Sequence, residues 1–446
     1  MGEVKQSDID IVVDALKSYR QRIIDEKAFK PADFVEFIEP KFIDAGYRHS
    51  AQLPSPRSDG NILIIHDTGV GDFILTSGAI REIRRLYPAA KIRLLVTVEA
   101  GEMARYCPYV DEILTHDSGI NCSSSDFVGI YDWAVRHATP FLRERLDICY
   151  SFTHFYLTQF LMVMCGAKVR HAYFFENNDD PGNSPFLMLP MINCFATNLV
   201  PPFLYGTHHV DAYFSFLDAQ MSVPIANRSI EIWCTRDEIE FGDKVLAGRV
   251  GTVYALNMGG SGPCKHYPPE KYAKVAEMIF EQEESTIVIL GGGKEDLKSA
   301  EIFKSALPEK FLDNVIDLTN KINYRQSAAF LTHCTAYIGN DTGLLHAAAA
   351  LNRPILAVYS FAADLPQSVY DAVRAYRPYN VPSVVIQPAK ALPECADPNK
   401  PYSQYGCQLP YKPHCITQVK PETFLRGLQL LKERVAQKLR EPLYIF

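Results

Sequence analysis

What this 446-residue chain lacks narrows its class before any motif is considered. It has no long hydrophobic run: the most apolar stretch, Leu157 to Ala167, contains Gln159 and is far shorter than the ~20 residues needed to cross a bilayer. The opening residues, MGEVKQSDIDIVVDALKSYR, have neither the uninterrupted apolar core nor the small-residue cleavage site of a secretory signal, so a cytoplasmic protein without a transmembrane span is expected. Positive charge is not in excess. With 45 Lys and Arg against 52 Asp and Glu the net charge is −7, so no global basic field is available to grip nucleic acid and any anion site must be local. No short-period repeat, low-complexity tract or Gly-Lys-Ser/Thr Walker signature is present.

What remains is ample material for folding. Hydrophobic residues make up 47% and charged residues 22%, and the length exceeds what one core usually covers, which predicts two principal domains. Eleven scattered cysteines, an odd number, read as reduced thiols rather than as a disulfide framework.

Hydrophobic periodicity divides the chain. Ile9, Val12, Val13, Leu16, Tyr19, Ile23 and Ile24 recur at helical spacing, Phe34, Val35 and Ile38 continue the pattern, and the Pro- and Ser-rich segment 52–60 follows as a linker. From Asn61 strands and helices alternate: strands at 62–65, 91–96 and 146–151, helices at 74–86 and 157–165. Residues 174–206 then lose periodicity and read as an irregular insertion. A second series has strands at 252–256, 286–290, 335–338 and 355–359, separated by helices near 269–282, 295–306, 325–333 and 343–351. Such alternation implies parallel βαβ units in two open sheets, with ligands beyond the carboxyl ends of the strands. The expected division is a helical extension over 1–58, a first Rossmann-like domain over 59–226, a second over 227–420, and a final amphipathic helix within 421–446 that packs back across them. A weaker role for that helix is contact with an anionic membrane face.

Four loops carry candidate chemistry. Asp67-Thr68-Gly69-Val70-Gly71-Asp72 lies between a strand and a helix, where glycines let backbone approach a ligand. It departs from a dinucleotide fingerprint, with Ile74 at the third glycine position, and Asp72 suits a general base; the plainer alternative is a helix cap. Gly339-Asn340-Asp341-Thr342-Gly343-Leu344-Leu345-His346 again joins strand to helix. Its turn can offer N–H groups to a diphosphate, with His346 one helical turn on; a capped helix with a buried histidine is the alternative. The glycine-rich run Asn257 to Pro269 carries Lys265, suited to wrapping and neutralising phosphates or simply solvated. Gly291 to Asp296 places Glu295 where a ribose hydroxyl could be met, or at an ordinary solvated helix start.

Together these elements resemble glycosyltransferase family 9, the ADP-heptose lipopolysaccharide heptosyltransferase-like proteins. The resemblance runs from about Asn61 to about Leu431 through NILIIHDTGVGDFILTSGAIREIRRLYP, YVDEIL, KHYPPEKYAKVAEMI, VILGGGKEDLKSAEIF and IGNDTGLLHAAAALNRPILAVYS, with Asp-Thr-Gly-x-x-His at 341–346 its most specific block. It implies an α/β GT-B fold, two Rossmann-like domains facing across a cleft, here with the N-terminal helical extension. It also implies inverting sugar transfer from a nucleotide-sugar donor, such as ADP-heptose, to a lipopolysaccharide-core or related glycan or glycolipid acceptor, with no cofactor required. By matching position Asp72 becomes the base, and Lys265 neutralises the departing diphosphate. Gly71, Ser261, Thr342 and Gly343 line the donor, Asp341 touches its sugar, His346 its phosphates and Glu295 its ribose. The acid group and the donor grip fall in different domains, so closure is expected for turnover.

The extension before Asn61 and Tyr267, where a Trp is common, depart from the family, and residues 97–210 match loosely. Family members that glycosylate autotransporter proteins carry a cysteine-bound iron, which marks Cys395, Cys407 and Cys415 as metal candidates, although their spacings fit no standard zinc motif. Competing readings are a protein heptosyltransferase, an NAD-dependent oxidoreductase built on the Gly69 and Gly71 turn, and a non-catalytic nucleotide-sugar-binding protein. The implied location is the cytoplasm, with peripheral contact at the inner membrane as an addition.

Overall fold

The computed structural model describes residues 6–27, 59–116, 127–142, 144–153, 161–162, 164–172, 197–199, 207–218, 225, 227–364, 372–393 and 414–446. The Phe34 to Ile38 pattern, the linker up to Ser58, most of the 157–165 helix and of the 174–206 insertion, and Cys395 and Cys407 lie outside them. Two compact units result: residues 1–69, 78–204 and 212–226, and residues 70–77, 205–211 and 227–446. Val70–Ser77, with Asp72, therefore groups with the second unit.

In order the elements are α1 (Gln6–Glu26), β1 (Asn61–His66), α2 (Val70–Leu86), β2 (Lys91–Thr97), α3 (Val98–Ala104), β3 (Glu112–His116), α4 (Phe127–Leu142), β4 (Ile148–Ser151), β5 (Val169–Ala172), β6 (Asn198–Leu199), α5 (His209–Asp218) and α6 (Arg236–Val245). They continue with β7 (Thr252–Asn257), α7 (Pro269–Phe280), β8 (Ser285–Ile289), α8 (Lys294–Ala306), β9 (Val315–Asp317), α9 (Tyr324–Phe330), β10 (Ala336–Asn340), α10 (Gly343–Ala350), β11 (Ile355–Val358), α11 (Ala372–Tyr376), β12 (Ser383–Ile386), α12 (Pro421–Ala436) and β13 (Leu443–Ile445).

The first sheet runs β3-β2-β1-β4-β5-β6 and is parallel at every pairing. Ile62 to Ile65 of β1 are all buried, so both faces of the strand are covered and they read as an unbroken apolar run rather than an alternating one. α2 stops at Tyr87 because the following Pro88 disfavours helical backbone before it. The helical extension does pack. Leu16, Tyr19 and Ile23 of α1 belong to the core of the first unit, the Tyr131 hydroxyl of α4 donates to the Leu16 carbonyl at 2.5 Å, and Arg20 grips Asp132 with two bonds of 2.6 and 2.8 Å. Leu16→Ala is expected to lower the stability of this unit by about 3 kcal/mol, read from the urea midpoint. A loss below about 1 kcal/mol would show the helix undocked in solution.

The second sheet runs β13-β12-β11-β10-β7-β8-β9, also parallel throughout. Both sheets start from a central strand, build outward on one side, then cross to the other, and the crossing point opens a crevice at the carboxyl edge. In the second sheet that point lies between β7 and β10, the strands that end at Asn257 and Asn340. Capping boxes at Thr235 with Glu238 and at Asn323 with Gln326 start α6 and α9, and Pro269 takes the first turn of α7, where no amide donor is needed. α12 packs Phe424, Leu428 and Leu431 into the second core, against α7, β11 and β12. No helix among the described residues is long and apolar enough to cross a membrane.

Candidate functional site

The switch point of the second sheet is braced by uncharged side chains. Asn340, fully buried at the end of β10, donates to the carbonyls of Met258 and Gly259 at 2.7 and 2.9 Å and accepts from the Tyr272 hydroxyl at 2.7 Å. Asn257, at the end of β7, donates to the Leu290 carbonyl at 2.7 Å and accepts from the Thr342 hydroxyl at 3.0 Å. Tyr337 bonds the Asn340 carbonyl at 3.0 Å and pairs with the Thr342 hydroxyl at 3.1 Å. The loops after β7, β8 and β10 are thus tied to each other through buried hydrogen bonds, each costly to leave unmade, and the backbone that would meet a ligand is set beforehand. Sequence reasoning did not single out Asn257, Asn340, Tyr272 or Tyr337.

On this platform stand the charged residues. The Lys265 ammonium lies 2.6 Å from the Asp341 carboxylate, both mostly shielded from water. Burial works to lower the Lys265 ammonium, but Asp341 and then Asp72 outweigh it and hold the group above its usual range, so it is a permanent cation. Asp72 stands in the first turn of α2, whose N-cap is Gly69 with no side-chain cap bond. Burial pushes its carboxyl up to about 6, while the Tyr376 hydrogen bond and the Lys265 charge pull it down and the Asp341 charge pushes it up. His346, on α10, is driven down to about 4 by burial, so it meets its surroundings as a neutral imidazole at pH 7.

Close backbone approach joins Asp72 to this group. A side-chain carbon on Gly71 would lie 3.1 Å from the Cα of Gly343 and from the His346 ring, and one on Gly343 would lie 2.3 Å from the Tyr324 hydroxyl and 3.3 Å from the Gly71 nitrogen. Neither turn has room for a methyl group. Gly343→Ala is expected to cost about 2 kcal/mol by overpacking, and adding Tyr324→Phe should recover most of it by deleting the crowding oxygen, both read from urea midpoints. A double variant no more stable than the single one would place the strain elsewhere.

The structure therefore gathers Gly71, Asp72, Lys265, Asp341, Thr342, Gly343 and His346 at one place. Ser261 is exposed on the same glycine-rich loop as Lys265. Glu295 is also exposed, and its neighbour Asp296 is the residue turned inward: it accepts from the Gly292 amide at 2.8 Å and fills the space where side chains on Gly259 and Gly291 would stand. Cys415 is a buried free thiol that accepts from the Leu392 amide at 3.3 Å. Among the described residues no group of three His, Cys, Asp or Glu is placed to hold a metal ion.

Comparison with known proteins follows the same lines. The model of glycosyltransferase family 9 (heptosyltransferase) matches residues 195–369. Lipooligosaccharide heptosyltransferase 2 of Haemophilus influenzae is 40% identical over 98 residues, covering 22% of this chain and 28% of that protein. The chain thus aligns with under a third of that relative's length. Lipooligosaccharide heptosyltransferase 2 of Haemophilus ducreyi is 25% identical over 309 residues, 67% of this chain and 82% of that protein. The crystal structure of a family 9 glycosyl transferase from Veillonella parvula superposes with a TM-score of 0.66 at 20% identity, covering 86% of this chain and all of that one. The fold is accordingly GT-B.

Proposed function

The chain is heptosyltransferase-like, with glycosyltransferase family 9 as the family it resembles, and from that premise we propose that it transfers heptose from ADP-heptose to a lipopolysaccharide-core acceptor with inversion at the anomeric carbon. The observation that carries the reading is the placement of a carboxyl of raised proton affinity, Asp72, beside the fixed cation Lys265 and the Thr342–Gly343 turn. In the reaction the acceptor oxygen attacks the anomeric carbon as its proton passes to Asp72. The bond to the diphosphate breaks, and its electron pair leaves with ADP. Lys265 and the first amides of α10 meet that growing negative charge, so stabilisation increases as the bond lengthens. Asp341 holds Lys265 in place and faces the donor sugar, while neutral His346 offers a hydrogen bond to the phosphates without adding charge. A base of pKa about 6 is largely ionised at pH 7 yet still a competent proton acceptor.

We assign acceptor recognition to residues 59–226 and the donor nucleotide to residues 227–420, with Ser261 and Glu295 at the margins of the donor. Turnover needs no metal in this scheme, because Lys265 supplies the positive charge. The proposed setting is the cytoplasm, with α12 free to make a peripheral contact with the inner membrane. The test is ADP release and glycan product formed from ADP-heptose and a lipopolysaccharide-core acceptor, with EDTA leaving the rate unchanged. ADP-heptose should also raise the melting temperature, since it binds the native state alone. Tight NAD binding with no response to ADP or ADP-heptose would replace this reading with an oxidoreductase.

A further inference from the structure

In the second unit Tyr254, Tyr267, Tyr272, Tyr337 and Tyr359 are buried, and each donates its hydroxyl hydrogen to a protein oxygen between 2.5 and 3.0 Å away. Tyr324 departs from them. Its hydroxyl is shielded from water yet has no hydrogen-bond partner among the described residues. A donor left in that condition is costly, and its location gives the cost a reason. The oxygen closes off the space where a side-chain carbon on Gly343 would lie, and the Gly71 nitrogen is 3.3 Å from the same point. Both of these neighbours are glycines. Main chain, rather than another side chain, therefore borders the hydroxyl at the turn that opens α10.

Tyr324 is held there from both sides in sequence. Asn323 and Gln326 close the capping box of α9 with bonds of 2.8 and 3.0 Å, and Arg325 grips Glu238 with bonds of 2.7 and 2.8 Å. Facing it, α10 begins at Gly343 with Thr342 as its N-cap, but the Thr342 hydroxyl is engaged with Asn257 and Tyr337 and caps none of the first amides. Such amides draw an acceptor, and an anion most of all. Burial pushes the Tyr324 hydroxyl above its ordinary range, so it keeps its proton at neutral pH. Among donors only, the matching ligand atom is an acceptor, and an anionic oxygen can take several such bonds at once and strengthens each of them. We infer that the Tyr324 hydroxyl is a further binding group for the donor proposed above, donating to a phosphoryl oxygen of the nucleoside diphosphate at the start of α10. The inference rests on that reading of the site. It makes the hydroxyl a group kept for the ligand at a cost to the ligand-free chain.

The experiment compares wild type with Tyr324→Phe, both as full chains, by calorimetric titration with ADP and by urea unfolding without ligand. The variant should bind ADP about tenfold more weakly, the loss expected for one hydrogen bond to a charged oxygen. Without ligand its urea midpoint should equal or exceed that of wild type, since the substitution deletes a donor that had no protein partner. Affinity falls while stability holds or rises, a combination that a packing role does not produce. Equal ADP affinity in the two proteins would overturn the inference. A lower urea midpoint for the variant would overturn it as well, because the hydroxyl would then already be bonded within the protein. A wild type that does not bind ADP is a separate outcome, visible before any variant is compared: the proposed donor fails, and the inference falls with it.

Discussion

Asp72→Asn is expected to lower kcat about 1,000-fold while ADP-heptose binds within about twofold of wild type, because a general base acts chiefly in the transition state. The same substitution should raise stability at neutral pH. The Asp72 carboxyl titrates near 6 in the folded chain against 3.8 for the unreacted side chain, so between those values the folded state holds more protons than the unfolded one. Stability attributable to this group is therefore present in full below about pH 4 and is lost as pH rises towards 6. The loss is on the order of 3 kcal/mol, and asparagine removes it. Unfolding by urea at pH 4.5 and at pH 7.5 checks the sign: the variant should gain on wild type at the higher pH. A variant that loses activity and stability together would mean that Asp72 supports the turn rather than the reaction. Wild-type kcat should fall on the acid side of about pH 6 for the same reason, as protonation disables the base.

The parts of this molecule that could be read from the sequence are those whose signal is local. β1, β7 and β10 are buried on both faces, so they stand out as short apolar runs, and each ends in a turn rich in glycine, aspartate or asparagine. That combination exposed both the alternation of strand and helix and the loops holding Asp72, Lys265 and Asp341. Short edge elements escaped: β9 and β13 have three residues each, too few to show a period. α4 escaped for another reason, since Pro140 within its span argues against a helix until its packing against α1 is seen. In the site, Asn257 and Asn340 brace loops whose partners come from other strands, and Tyr376 lies more than 300 positions from Asp72. No spacing rule links such residues. The choice between Glu295 and Asp296 was equally hidden. Neighbours on a helix point about 100° apart, and only the position of the glycine loops decides which one faces inward.

Lys265→Ala provides the sharpest check on how the charges divide the work. It removes the cation that meets the departing diphosphate, so transfer should fall by about 100- to 1,000-fold and donor affinity by about tenfold. It also strips Asp341 of its partner at 2.6 Å. Both side chains keep some contact with water, so the cost to stability should stay below about 2 kcal/mol, short of the penalty for a fully buried broken pair. The informative readout is the acid limb of whatever activity remains. Lys265 favours the ionised form of Asp72 and Asp341 disfavours it, so Lys265→Ala should move that limb up and Asp341→Asn should move it down. A cation that served only as scaffold for the loop would leave Asp72 unaffected, and a general loosening of the site would push both variants in one direction. Opposite displacements are what direct electrostatic coupling among the three groups requires, and they would follow even if the sugar or the acceptor proved different from those proposed.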